Sequence, residues 1–201
     1  MHPDLAPRTA ACLLFDWDGT LVDTQYANYR AMAATLATEG ITLEQEWFDA
    51  RTGTSSAEMI RTLRDERNAA LSRPVDDLVA ERDALFLKEA HTIRPLAPVH
   101  AVVEAMRGRL PMAVASGGAR HVIEATLRHQ PFHDAFSAMV TRDDVERGKP
   151  APDIFLAAAD ALGAHPSRCL VYEDSDEGVA AARAAGMAVI DVRPYTRGDG
   201  R

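Results

Sequence analysis

Leu13-Leu14-Phe15-Asp16-Trp17-Asp18-Gly19-Thr20-Leu21-Val22-Asp23 is the stretch on which the fold turns. An apolar run ends abruptly at two aspartates one residue apart, followed by a glycine, a threonine and a third carboxylate. Side chains alternate between faces along a strand, but past the strand end the backbone turns and both carboxylates can be aimed at one point. Two carboxylates converging there repel each other, and a cation, a shared proton or strong hydrogen bonds are needed to hold them. Repulsion of this kind serves chemistry rather than packing, so the strand end is expected to be an active site.

Outward from it, the run at 11–15 is followed by four more with strand character, at 112–115, 138–141, 169–172 and 188–192. Helical patterns at 100–108, 119–129, 152–162 and 177–185 alternate with the later ones. Strand–helix alternation with near-continuous apolar strands predicts an α/β fold, a parallel sheet covered on both faces. Between the first two strands lies an insertion of roughly 70 residues, long enough to pack as its own unit. It reads as helices: one over 24–38 stopped by Gly40, a short second opened by a Thr42…Gln45 capping box, and a third opened by Ser55…Glu58. A fourth starts at Pro74, with Leu78, Val79, Arg82, Leu85 and Phe86 along it. The expected organisation is an α/β core of residues 1–23 and 92–201 carrying an inserted helical cap, 24–91.

Bulk properties narrow the function. Of 201 residues, 47% are hydrophobic and 26% charged, ordinary for a globular chain of one core plus an insert. A net charge of −8 with scattered arginines disfavours a nucleic-acid partner. No apolar run approaches the roughly 18 residues of a membrane span, and Met1 to Arg8 lacks the basic-then-apolar pattern of a signal peptide. A cytoplasmic location and no membrane partner are therefore expected; the oligomeric state is open, with a monomer compatible. Cys12 and Cys169 sit inside apolar runs and read as buried reduced thiols. The seven histidines show no ligand-like spacing.

Four pieces carry chemistry, each at or just beyond a strand's carboxyl end, the edge at which open α/β sheets bind ligands. They are Asp16-Trp17-Asp18-Gly19-Thr20, Ser116-Gly117-Gly118, Gly148-Lys149-Pro150 and Tyr172-Glu173-Asp174-Ser175. Asp16, Asp18, Glu173 and Asp174 make a hard oxygen cluster without Cys or His, which favours Mg²⁺ over zinc. Lys149, the Ser116 hydroxyl and the Gly117 amide offer positive or donor groups suited to a phosphoryl group. A carboxylate nucleophile can form an aspartyl-phosphate, with a neighbouring carboxylate as general acid and then base.

These four motifs, in this order and spacing, resemble the haloacid dehalogenase superfamily of phosphotransferases over nearly the whole chain. The stretches Gly148-Lys149-Pro150-Ala151-Pro152-Asp153 and Glu173-Asp174-Ser175 through Gly186-Met187 are similar to the branch of β-phosphoglucomutases and small sugar-phosphate phosphatases, closest to fructose-1-phosphate-phosphatase-like members. The resemblance implies a doubly wound sheet of order 3-2-1-4-5 with the first strand central. It implies Asp16 as nucleophile and Asp18 as acid and base. Mg²⁺ would be held by the Asp16 carboxylate, the Asp18 backbone carbonyl and Asp174, with Glu173 as a further ligand or beside them. Ser116, Gly117 and Lys149 would hold the phosphoryl oxygens. Thr52, Gly53 and Ser56, in the loop Arg51-Thr52-Gly53-Thr54-Ser55-Ser56, would meet the substrate from the cap, and Arg51 could reach a polar substrate.

Departures from the mutases point to hydrolysis. Thr20 stands where mutases have Val, Asn28 where they carry a cap histidine, and Ser56 near where they place a phosphate-gripping arginine. The expected function is Mg²⁺-dependent hydrolysis of a small sugar phosphate, fructose-1-phosphate-like, through an aspartyl-phosphate. The alternatives are a β-phosphoglucomutase-type hexose-phosphate mutase and an inactive binding protein on the same fold.

Overall fold

The computed structural model describes residues 1–7, 9–51 and 53–196. Its main sheet has five parallel strands: β1 (Cys12–Phe15), β4 (Met112–Ala115), β5 (Ala138–Val140), β6 (Cys169–Glu173) and β7 (Ala188–Asp191). Their order, β5-β4-β1-β6-β7, is the expected 3-2-1-4-5 arrangement with β1 in the centre. Chain direction from β1 goes one way to β4 and the other way to β6, so the tip of β1 opens at the point where the crossovers diverge.

β1 is buried on both sides. Leu13 and Phe15 belong to one apolar cluster with Val99, Val114, Ile123 and Tyr172. Cys12 and Leu14 belong to a second with Val140, Ile154, Phe155 and Val171. This two-residue alternation into opposite cores is why the strand reads as unbroken apolar sequence. Helices α5 (Ala97–Met106) and α6 (Arg120–Leu127) supply the first cluster, α7 (Asp153–Ala161) and α8 (Asp176–Ala184) the second, and a short α9 (Arg193–Thr196) closes the described chain. Cys12 and Cys169 are free, buried and paired in register, with their sulfurs 3.0 Å apart. Burial and the neighbouring thiol push Cys12 up to about 12, so it stays a thiol.

Between β1 and β4 the chain forms α1 (Gln25–Ala37), α2 (Gln45–Asp49), α3 (Ser56–Arg67) and α4 (Val75–Leu87). They share a third apolar cluster that includes Met32, Leu36, Phe48, Ile60, Leu63 and Leu78. Three details differ from the sequence expectation. The insertion enters and leaves through a two-residue antiparallel ribbon, β2 (Val22–Asp23) on β3 (Arg94–Pro95). Two residues carry no periodic signal, so the ribbon is invisible in the sequence. The Thr42…Gln45 box does not form: α2 starts at Gln45 after an extended Glu44. Ile41 and Leu43 are both buried in the third cluster, and alternate burial keeps that segment extended. The Ser55 box is half realised, its hydroxyl accepting from the Glu58 amide at the start of α3.

Candidate active site

The loop after β1 is fixed by its own backbone. Asp16 N–H donates to Tyr172 O at 3.0 Å, continuing the β1–β6 pairing by one residue. Leu21 and Val22 then fold back to donate to Trp17 O, with Gly19 at φ +78°, a conformation that glycine takes without strain. A side chain at Gly19 would also overlap the Asp174 carboxylate, which lies against it.

That close approach gathers three carboxylates. Asp16, Glu173 and Asp174 are all buried, and each offers an oxygen within 4.8 Å of the others. Lys149 Nζ stands between two of them, 2.6 Å from Asp16 Oδ1 and 2.6 Å from Glu173 Oε2. The other Glu173 oxygen accepts from the Asp174 and Ser175 amides, both at 3.0 Å, and from the Ser175 hydroxyl at 2.9 Å. Glu173 is thus clamped, and it fixes Lys149. Thr20 donates to Asp174 Oδ1 at 3.2 Å.

The electrostatics follow from burial. Desolvation first, then Glu173, push Asp16 well above the carboxylate range, against the pull of Lys149. Burial and Glu173 likewise raise Asp174, to about 7. Burial would lower Lys149, but Asp16 and Glu173 outweigh it and keep the ammonium charged. Three carboxylates face one ammonium, and the excess negative charge in a hard oxygen set fits a divalent cation.

Asp18 behaves differently from its neighbour. Its Oδ1 accepts from the Thr24 hydroxyl and from Asn28 Nδ2, the latter at 3.0 Å, both at the start of the inserted helices. The expected clash between Asp16 and Asp18 side chains is therefore corrected: Asp16 contends with Glu173 and Asp174, while Asp18 is drawn to two donors on α1 and its approach. The backbone carbonyl expected of Asp18 as a ligand is untouched by this.

Asp16, Asp18, Glu173, Asp174 and Lys149 line one cavity of about 550 Å³. Ser116, Gly117, Gly53 and Ser56 line it too, so the loops after β1, β4 and β6 and the start of α3 meet there. Ser116 is buried and its Oγ accepts from Gly118 N–H at 3.1 Å. Thr52 lies outside the described residues. Arg51 stacks 3.8 Å over Trp47 and pairs with Glu66 at 2.8 Å, so it serves the packing of α2 on α3. Residues 25–87 add Asn28, Met32, Phe48, Met59, Arg82 and Asp83 to the walls, none of which the motifs had marked as lining a site. Arg82 carried a signal: it is a charged residue inside the apolar stripe of its helix.

A glycine on α8 gives a prediction. A Cβ at Gly178 would overlap the carboxyl group of Glu173, which cannot swing aside because both its oxygens are bound. Alanine in a helix ordinarily adds about 1 kcal/mol of stability over glycine. Gly178→Ala is nevertheless expected to show no gain in melting temperature and a loss of activity of about 100-fold, the scale of an ångström-level misplacement of a catalytic group. Calorimetry with steady-state kinetics checks both signs.

A family model for haloacid dehalogenase-like hydrolases matches residues 10–186. The chain is 36% identical over 184 residues to fructose-1-phosphate phosphatase YqaB of Escherichia coli (strain K12), covering 91% of this chain and 96% of that protein. It is 29% identical over 182 residues to validoxylamine A 7'-phosphate phosphatase of Streptomyces hygroscopicus subsp. limoneus, covering 87% and 81%. The crystal structure of CbbY from Rhodobacter sphaeroides in complex with phosphate matches the fold with a TM-score of 0.83 at 28% identity, covering 90% of this chain and 85% of that one.

Proposed function

The chain belongs to the haloacid dehalogenase-like hydrolases and is a phosphatase, and from that premise we propose that it hydrolyses a small sugar phosphate through an aspartyl-phosphate on Asp16. The observation that carries this reading is the division between the two aspartates. Asp16 is bound to Lys149 among buried carboxylates, whereas Asp18 is held by neutral donors on the far side. Asp16 alone of the two touches the ammonium that would hold a phosphoryl group, and Asp18, turned toward Thr24 and Asn28, is left to serve the leaving group.

In the first step an Asp16 oxygen attacks phosphorus, the P–O bond to the sugar breaks, and Asp18 gives its proton to the departing alkoxide. In the second step Asp18 takes a proton from water as that water attacks phosphorus. The Asp16–phosphate bond breaks, leaving inorganic phosphate and a free Asp16 carboxylate. Lys149, the Ser116 hydroxyl and the Gly117 amide hold the phosphoryl oxygens. Asp16, Asp174 and the Asp18 carbonyl, with Glu173 beside them, would hold Mg²⁺, which supplies the charge that keeps Asp16 ionised and offsets the phosphoryl oxygens. Residues 24–91 act as a cap that excludes water and contacts the sugar through the loop holding Gly53 and Ser56.

Metal binding gives a prediction in pH. Asp174 ordinarily titrates at 3.8 but in the metal-free fold at about 7. Between those values the folded state binds more protons than the unfolded one, so metal-free stability falls as pH rises through that window. Mg²⁺ needs the ionised carboxylates, so its stabilisation grows as they deprotonate. The rise in melting temperature on adding Mg²⁺ is expected to be larger at about pH 8 than at about pH 5, read by calorimetry. An equal or reversed shift would remove the acidic trio as the metal site.

The reading itself is tested by phosphate release from a panel of sugar phosphates, with and without Mg²⁺. Release from fructose 1-phosphate and similar polyol phosphates is expected. Isomerisation of β-glucose 1-phosphate without phosphate release would make the protein a mutase, and no reaction with any member would make it a binding protein.

A further inference from the structure

α4 carries two charged residues on its buried side. Arg82 and Asp83 are 7% and 5% exposed. A buried ion pair adds little net stability over apolar residues of similar size, so its presence calls for another reason. Arg82 Nη1 donates to Asp83 Oδ1 at 2.7 Å, and Arg82 Nη2 donates to Asn28 Oδ1. Asn28 Nδ2 in turn donates to Asp18 Oδ1 at 3.0 Å. The other Asp83 oxygen lies 3.3 Å from His121 Nε2 on α6, a side chain 60% exposed. One path of polar contacts therefore runs from the surface of a helix packed on the sheet, through two residues of α4 and one of α1, to Asp18.

Donor and acceptor rules give this path a direction. A guanidinium only donates, so the amide of Asn28 must turn its oxygen to Arg82 and its NH₂ to Asp18. That NH₂ and the Thr24 hydroxyl both fall on Asp18 Oδ1. A proton carried by Asp18 then sits on Oδ2. Arg82 fixes the amide, Asp83 fixes Arg82, and the second Asp83 oxygen, at His121, ties that pair to α6.

We propose that Asp83 is a positioning residue for Asp18, clamped between Arg82 and His121 so that the proton-bearing oxygen is oriented only when the inserted helices are seated on the core. The inference rests on the reading of Asp18 as acid and base, and the experiment separates the two. The probes are fructose 1-phosphate, whose alkoxide needs a proton to leave, and p-nitrophenyl phosphate, whose phenolate does not.

Asp83→Asn is expected to lower kcat on fructose 1-phosphate about 100-fold at unchanged KM, while the burst of nitrophenolate in the first turnover keeps its rate. His121→Ala, at an exposed position and so expected to fold, should lower kcat on fructose 1-phosphate about 3-fold to 10-fold with an unchanged melting temperature. Asp83→Asn placed on top of Asp18→Asn should add no further loss, since both act through one proton. Equal losses on both probes, a change confined to KM, or a His121→Ala variant identical to the parent would each overturn the coupling. If Asp18→Asn discriminates between the probes and Asp83→Asn does not, this inference alone fails. If Asp18→Asn does not discriminate, the acid–base reading fails and takes the inference with it.

Discussion

Asp16→Asn is expected to abolish turnover, lowering kcat by about 10⁴-fold or more, the scale seen when a covalent nucleophile is removed. An amide nitrogen and its carbonyl cannot form the acyl-phosphate, and Glu173, the other carboxylate on Lys149, has its second oxygen held by the Asp174 and Ser175 amides and the Ser175 hydroxyl. The fold should not suffer. Asparagine keeps the shape of the side chain and removes the cost of a buried charge and the repulsion from Glu173 that together raise Asp16, while Lys149 retains Glu173 as its partner. In metal-free buffer the variant should melt no lower than the parent. Kinetics and calorimetry on one preparation distinguish this from a loss caused by misfolding.

Asp18→Asn is expected to lose about 10²-fold to 10⁴-fold on an alkyl phosphate, the usual share of a general acid and base. The loss has two parts. The sugar alkoxide departs without its proton, and the water that follows lacks its base. With p-nitrophenyl phosphate the first part disappears, so a stoichiometric burst of nitrophenolate should be followed by a slow steady state in which the phosphorylated enzyme accumulates. Rapid-quench measurement of burst and steady-state rates reads the two parts separately. A variant slow in the burst with p-nitrophenyl phosphate would assign Asp18 to the attack itself.

Much of this architecture is legible in the chain because parallel strands buried on both faces leave continuous apolar runs that stop where the chemistry begins. Asp16, Ser116 and Glu173 all mark such stops, and the sheet order puts their loops at one edge. What escaped is local or cooperative. The ribbon of Val22–Asp23 with Arg94–Pro95 is too short for a period to show. The box at Thr42 yields to burial of Ile41 and Leu43 in the apolar cluster of the inserted helices. The opposed fates of Asp16 and Asp18 depend on donors that arrive from elsewhere, Lys149 far along the chain and Asn28 on α1. Asp83 looks like the solvated side of an amphipathic helix until α6 is seen to pack on α4, whereas Arg82 stands inside the apolar stripe.

A phosphoryl group carried by Asp16 can be trapped chemically. Borohydride reduces an acyl-phosphate to the alcohol, so enzyme quenched during turnover and then reduced should contain homoserine at position 16, located by peptide mass spectrometry. Homoserine is expected at that position only when substrate is present, and in larger amount in Asp18→Asn turning over p-nitrophenyl phosphate. Continued phosphate release with an unmodified Asp16, or homoserine at another carboxylate, would contradict it.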